Sequence, residues 1–261
     1  MTASKRLSVI LPSFNDSRIE QALRSIRLFD DAGIVKVVVV DGGSRSELLE
    51  LVRVSLLPGD VLVSEPDKGI FDALNKGLDL CDTEFIGWLG TDDLFSGNLL
   101  ASEVISRLNG FDVLVANVAH FRGEYITRVT HGFPSRFGMT KYGLNNAHFA
   151  TFGTARLLKS ERFRLGLRGA DIEYFVRIFG HRPRVVSVNV VATLAEEGGY
   201  STASYGLMLG SHAALLPVYA EATNYAVALV SFALKISYRL SSVIYYRIFR
   251  TRVRDFGAMV S

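Results

Sequence analysis

Two adjacent carboxylates, Asp92 and Asp93, close an apolar run in the stretch EFIGWLGTDDLF, from Glu84 to Phe95. Short runs of large apolar residues that end in Gly and Asp read as core strands of a sheet. Open α/β sheets bind their ligands outside the carboxyl ends of such strands. Carboxylate oxygens are hard ligands, suited to Mg2+ or Mn2+ beside phosphate. Asp is also common where a strand turns into a loop, so the pair alone favours a polar turn. Its weight comes from the other strand ends. Ser13 and Asn15 follow LSVIL, Asp41 follows VKVVVV, and Asp67 follows VLVS. In a parallel sheet these ends share one edge, so separate segments converge on one crevice. Gly42 and Gly43 let backbone approach a ligand there.

The elements that must position these groups follow from periodicity. Leu7 to Leu11 and Val35 to Val40 are near-continuous apolar strands of the kind buried in parallel sheets. Asp16 or Ser17 can cap a helix running to about Phe29, with Ile19, Ala22, Leu23 and Ile26 on one face. A helix over Glu47 to Val54, a short strand Val61 to Ser64 and a helix Ile70 to Leu80 lead to the FIGWL strand. This alternation predicts an α/β fold with right-handed crossovers. Beyond it, Asn98 to Leu108 reads as a helix and Asp112 to Ala119 as a strand. Phe121 to Tyr142 reads as irregular, either a cover over a second substrate or a connecting hairpin. Ile172, Phe175, Val176 and Phe179 have helical spacing, with Asp171 at the start as an N-cap or first-turn acid. A last strand spans Arg184 to Leu194.

The chain has 261 residues, 49% apolar and 21% charged, enough for one large domain or one domain with an appendage. A net charge of +3 gives no argument for nucleic acid. The single cysteine, Cys81, excludes an internal disulfide and suits a reducing compartment. The first residues lack the long apolar core and cleavage site of a signal peptide. Neither a GxGxxG fingerprint nor a P-loop is present, which disfavours a dehydrogenase or an ATPase.

The residues VILPSFND, VVVVDGGS, EPDKGIFDALNKG and WLGTDD, in that order and spacing, resemble the family 2 glycosyltransferases. The resemblance spans about residues 6 to 200. It implies a GT-A-type, Rossmann-like, mostly parallel sheet flanked by helices, and transfer of a sugar from a nucleotide-sugar with inversion. It further implies that Asp41 binds the nucleobase, with Pro12 and Ser13 lining the nucleoside pocket. Asp67 and Asn75 shape the donor pocket, Asp92 faces ribose or metal, and Asp93 is the metal ligand. His148, in NNAHFATFGT, is placed near the acceptor, and Asp171 matches the catalytic base. Glu173 is the other acid of that helix; two residues on, it points elsewhere. Glu196-Glu197-Gly198-Gly199-Tyr200-Ser201 resembles a loop that closes over the donor phosphates. Two acids of the usual pattern are missing: the second of Asp-Asp-Gly-Ser is Gly42, and the first of Asp-x-Asp-Asp is Gly90.

These readings predict a catalytic domain over 1–205 and a helical tail over 206–261. Leu207 to Leu234 has no Lys or Arg and a single acid, Glu221. Basic residues from Lys235 to Arg254 then fall on one helical side, opposite Val230, Leu234, Leu240, Ile244, Tyr245 and Ile248. That is the pattern of an interfacial membrane helix; packing on the catalytic domain or on a second subunit is the plainer alternative. Pro217, Glu221 and Asn224 break the run too early for a spanning helix. The expected protein is an inverting, Mg2+- or Mn2+-dependent glycosyltransferase using a UDP-sugar. Its expected acceptor is a lipid-linked saccharide of cell-envelope polysaccharide synthesis, on the inner face of the cytoplasmic membrane. A nucleotidyltransferase and a non-catalytic nucleotide-sugar-binding or scaffold protein are the alternatives.

Overall fold

The computed structural model describes residues 4–132, 148–167, 169–197, 210, 213, 215–222, 224–249 and 252–253. Strands β1 (Leu7–Ser13), β2 (Val35–Asp41), β3 (Val61–Ser64) and β4 (Phe85–Trp88) lie parallel in the order β3-β2-β1-β4. Every residue of β1 and β2 is buried, as expected for strands covered on both faces. The register sets Ser13 beside Asp41 and Asp41 beside Ser64, so three polar side chains end their strands in one row. Helices α1 (Ile19–Phe29), α2 (Ser46–Ser55) and α3 (Ile70–Leu80) make the crossovers. On α1 the stripe Ile19, Ala22, Leu23, Ile26 and Phe29 is buried. Asp16 Oδ1 accepts the Arg18 amide at 3.0 Å just before the first turn.

After β4 the sheet becomes mixed. The remaining strands are β5 (Asp93–Phe95), β6 (Val113–Arg122), β7 (Tyr125–Thr130), β8 (Thr151–Thr154) and β9 (Val185–Glu196). Beyond β4 the order runs β8-β6-β9-β5, with β7 hairpinned onto β6, and β5, β7 and β8 each run antiparallel to a neighbour. The chain passes from β4 to β5 in a few residues, although three strands separate them in the sheet. Four strand spacings of about 4.8 Å need about 19 Å if flat, and five residues span about 17 Å at full extension. The Asp93 amide also bonds Gly90 O at 3.2 Å, so the connection is a turn rather than an extended link. The sheet therefore curls, and its β5 edge returns to the end of β4 at Asp92 and Asp93.

Helix α4 (Ala101–Leu108) follows β5; α5 (Ala155–Leu158) follows β8; and α6 (Ala170–Gly180) precedes β9. Tyr174 and Phe175 of α6 pack edge-on against Trp88 at ring distances of 6.1 and 5.7 Å. The segment from Phe121 is more regular than its Gly content suggests. β6 continues to Arg122, turns through Gly123 at φ 57, and returns as β7. The rest of that segment lies outside the described residues.

In the tail, α7 (Leu216–Ala222) and α8 (Tyr225–Phe249) put Leu215, Tyr219 and Ala228 into the core cluster that holds Trp88. Val253 is buried with Ala119, Ile126 and Leu194, and its amide bonds Glu124 O at 2.9 Å. The outer side of α8 is different: Val230, Leu234, Ile244, Tyr245 and Ile248 are 44% to 68% exposed. Among the described residues no helix is long and apolar enough to cross a membrane.

The α3–β1 contact depends on a missing side chain. A Cβ on Gly77 would sit 2.4 Å from Cγ2 of the fully buried Ile10. Gly77→Ala should therefore cost about 1–3 kcal/mol in urea unfolding, because overpacking exceeds the small gain in helix propensity. A variant as stable as wild type would refute that tight contact.

Candidate active site

The carboxyl ends of β2 and β3 are tied together by hydrogen bonds to Asp41. Its Oδ2 accepts the amides of Gly43 (2.9 Å) and Ser44 (2.7 Å) and the hydroxyl of Ser64 (2.8 Å). Its Oδ1 accepts the Ser44 hydroxyl. Burial opposes the charge, but the hydrogen bonds from Ser44, Ser64 and Gly43 outweigh it and hold the carboxyl below its usual range. Asp41 thus builds the β2–α2 loop as well as facing the crevice. The β1–α1 loop is stitched to it. Asn15, in the left-handed region at φ 49, donates its amide to Ser44 Oγ (2.7 Å) and accepts the Arg45 amide (3.0 Å). Asn tolerates that conformation better than most residues. Pro12 is buried in β1, and the buried Ser13 hydroxyl has no hydrogen-bond partner among the described residues.

Asp67 lies directly over Gly42: a Cβ there would come within 2.7 Å of Asp67 Oδ2. Its other oxygen accepts the Gly69 amide at 2.8 Å. Gly90 plays the same part at the acid pair. A Cβ on Gly90 would meet Asp93 Oδ2 at 2.7 Å and Asp92 Oδ1 at 2.9 Å. The two glycines that stand where acids were expected are the floor on which three carboxylates rest.

Asp93 is 3% exposed, and its Oδ2 has no hydrogen-bond partner among the described residues. Burial, and then the charge of Asp92, push its carboxyl well above the ordinary range, with the amides of Gly90 and Glu196 pulling the other way. Asp92 is raised too, chiefly by burial. A buried carboxylate oxygen with no donor is costly unless a cation meets it. The donor set is two hard carboxylates, and among the described residues no cluster of three or more metal-binding side chains exists. That suits Mg2+ or Mn2+, which complete their shells with phosphate oxygens and water.

Sequence reasoning missed the groups that surround this pair. Arg18 makes a two-pronged ion pair with Asp16 (Nε–Oδ1 2.9 Å, Nη2–Oδ2 2.8 Å). Its Nη1 donates to Glu196 Oε2 at 2.6 Å, and its Nη2 lies 3.9 Å from Asp92 Oδ2. Thr91 donates to Asp16 Oδ2 at 2.8 Å. The signal was present only as a polar run after β1, read as a helix start.

The remaining candidates fall in different places. Asp171 is half-buried in the first turn of α6, beyond Gly169 at φ 76; burial, and then the charge of Asp171, push the Tyr219 hydroxyl up. Glu173 is 3% exposed and bound by Arg177 (2.7 and 2.9 Å) and by Arg164 (3.3 Å). Asn75 spends its amide on Phe163, donating to its carbonyl and accepting its N–H, both at 2.9 Å. It therefore fixes the chain at 163. His148 begins a short 3-10 turn, His148–Ala150, before β8. The glycines and serine at 198–201 lie outside the described residues. A cavity of about 360 Å³ opens at the opposite sheet edge between Arg6, Glu84, Asp112 and Arg184. Its charges pair with one another (Arg6–Glu84 2.6 Å, Arg184–Asp112 3.5 Å), so it competes poorly with the acid pair as a site.

A curled α/β sheet with small polar groups and an acid pair at its carboxyl edge places a ligand crevice there. Residues 8–163 match the profile described as Glycosyl transferase family 2, and the chain belongs to that family. An uncharacterized glycosyltransferase of Mycobacterium tuberculosis is 31% identical over 112 residues, which is 42% of this chain and 42% of that protein. A PGL/p-HBAD biosynthesis glycosyltransferase of Mycobacterium bovis is 28% identical over 112 residues, again 42% of each. The matches thus span less than half the length of these curated relatives. Among solved structures, S. aureus TarS 1-349 in complex with UDP-GlcNAc superposes with a TM-score of 0.62 at 19% identity, over 90% of this chain and 73% of that one. Mannosyltransferase PcManGT from Pyrobaculum calidifontis, in complex with GDP-Man and Mn2+, gives 0.60 at 15% identity, over 95% and 75%. At such identities the likeness establishes the shared GT-A fold.

Gly90→Ala tests the floor under the acids. Its backbone needs no left-handed angle, so the cost is the clash with Asp92 and Asp93 alone. The variant should fold, yet bind Mn2+ in the presence of UDP about tenfold or more weakly, a change of about 1.4 kcal/mol. Titration by electron paramagnetic resonance reads this directly; unchanged affinity would show that the glycine is not needed.

Proposed function

We propose that this chain transfers a sugar from a nucleotide-sugar, a UDP-sugar first among them, to an acceptor hydroxyl with inversion at the anomeric carbon. The single observation that carries this reading is the buried, unpartnered Oδ2 of Asp93 beside Asp92 at the crevice edge. Asp93, with Asp92, would hold Mg2+ or Mn2+. When bound, that ion neutralises charge on the departing diphosphate. Asp41 and the Ser13 hydroxyl face the nucleoside, and Asp67 lies across Gly42 on the same side. Asp171 takes the proton of the attacking hydroxyl. Displacement with inversion needs the base on the face opposite the leaving group, and Asp171 comes from a different segment than the acid pair. Glu173 is already spent on two arginines.

A panel of nucleotide-sugars, scored for hydrolysis and transfer with Mn2+, tests the reading. Asp93→Ala should lose turnover by orders of magnitude while its unfolding transition stays cooperative. Asp171→Asn should keep donor and Mn2+ affinity but lose about 10²–10⁴-fold in transfer, the usual worth of a general base. Glu173→Gln should cost stability more than transfer. No turnover with any donor, or normal transfer by Asp171→Asn, would refute the corresponding assignment.

For the acceptor, we infer a lipid-linked saccharide met at the inner membrane face, as in envelope polysaccharide synthesis. Support comes from α8, whose exposed Val230, Leu234, Ile244, Tyr245 and Ile248 lie opposite the helical positions of Lys235, Arg239 and Arg247. An exposed apolar stripe gains from acyl burial, and a basic residue near an anionic surface adds about 1 kcal/mol. Ile244→Asp with Ile248→Asp should cut binding to vesicles of anionic phospholipid at least tenfold, with the fold intact because both positions are exposed. Equal vesicle binding would refute the membrane reading. A shift to a smaller species in gel filtration would assign the stripe to a second copy of the chain instead.

A further inference from the structure

Arg18 takes no part in any of the roles above, yet it is the cation that an ion pair joins to Asp92 among the described residues. It is also held unusually firmly for a side chain that is 48% exposed. Asp16 takes two of its N–H groups, Glu196 takes a third, and Thr91 pins Asp16 from the residue next to Asp92. Those contacts come from the β1–α1 loop, the β4–β5 turn and the end of β9. An arginine fork engaged on two carboxylates at once is held in place beside Asp92. The charge tally explains the need for it. Asp16, Asp92, Asp93 and Glu196 crowd one end of the crevice, and Asp93 is buried with an oxygen unpaired.

We propose that Arg18 is a built-in counter-cation that keeps the free enzyme's affinity for divalent metal low, so that metal and nucleotide diphosphate enter together. This rests on the metal reading of Asp93 and deepens it. A fixed positive charge 3.9 Å from a ligand oxygen repels an incoming divalent ion and satisfies part of the field that would attract it. When the donor brings its two negative phosphates, the combined charge then favours a cation there. The diphosphate attracts the cation directly, while the fixed Arg18 weakens metal binding by the same factor with and without it; Arg18 thus sets a threshold that the metal crosses only once the diphosphate adds its charge. Arg18 acts through Asp92 and on charge, which makes it a positioning residue rather than a catalytic one.

The test measures Mn2+ affinity with and without UDP for wild type, Arg18→Ala and Arg18→Lys, by electron paramagnetic resonance and without any turnover. Solvent screening at this half-exposed position limits the expected effect to about fivefold to tenfold. Arg18→Ala should bind Mn2+ that much more tightly both without and with UDP. Arg18→Lys keeps the charge but not the fork, and should stay close to wild type. Unchanged or weaker Mn2+ binding by Arg18→Ala overturns the proposal, and so does tightening in both variants, which would trace the effect to geometry. If none of the three proteins binds Mn2+ even with UDP, the metal reading of Asp93 falls and this inference falls with it. Cooperative thermal unfolding of each variant separates all these outcomes from loss of fold.

Discussion

One electrostatic constraint organises the carboxyl edge of this sheet: a carboxylate, Asp93, is buried with one oxygen unmet. Burial and the neighbouring Asp92 both favour its protonated form. Sign matters here. A carboxyl whose folded value is raised stabilises the fold while protonated, below its ordinary range, and that contribution is lost as pH rises through the raised value. At neutral pH the protein therefore carries an uncompensated cost at this point, which a bound cation would remove. Such stored cost is common at sites that bind or react and rare in pure scaffolding.

The fold is arranged to create that burial. Curling of the sheet brings β5 back beside the end of β4, and pairing of Asp93 with Ala195 on β9 sinks the side chain into the interior. Gly90 then leaves room for both carboxylates to lie over the backbone. Gly42 does the same for Asp67. In the sequence these two positions looked like losses, acids missing from a family pattern. In three dimensions each glycine accommodates an acid contributed by another position. A side chain at either site would displace a carboxylate by contact at 2.7 Å, so an added acid at either position would have to displace the one already there.

Much of this was legible from the residues alone, because it rests on local signals. Continuous burial of β1 and β2 follows from their apolar runs, and their ends fall where polar residues interrupt those runs. The limits of α3 and of β3 are set by Pro, Gly and Asp around Glu65 to Gly69. What was not legible depends on contacts distant in sequence. Arg18 reaches Glu196 across 178 positions, and nothing in the run SFNDSRI points to that partner. The engagement of Asn75 with Phe163, and of Glu173 with Arg164, is likewise set by packing. β7 was hidden because its strand is short, half exposed and rich in Thr and Arg, so no apolar alternation marks it.

The tail bears on the site more closely than its composition suggests. Leu215 lies against Gly169, where a Cβ would meet its methyls at 2.9 and 3.0 Å, and Gly169 at φ 76 is the residue that launches α6. Tyr219, 1% exposed, lies near enough to Asp171 for that charge to disfavour ionisation of its hydroxyl. The first turn of α6 is thus braced by α7, and α7 packs against α8. Two packed helices, one bracing the turn of the proposed base and the other exposing an apolar stripe, join two requirements in one unit. Whatever surface α8 meets, membrane or second copy, its position is carried through α7 to the turn that holds Asp171. If the acceptor sits in a lipid surface, this linkage gives a physical reason for the tail to be packed into the core and not tethered by a flexible linker: the base must stand at a fixed height above that surface.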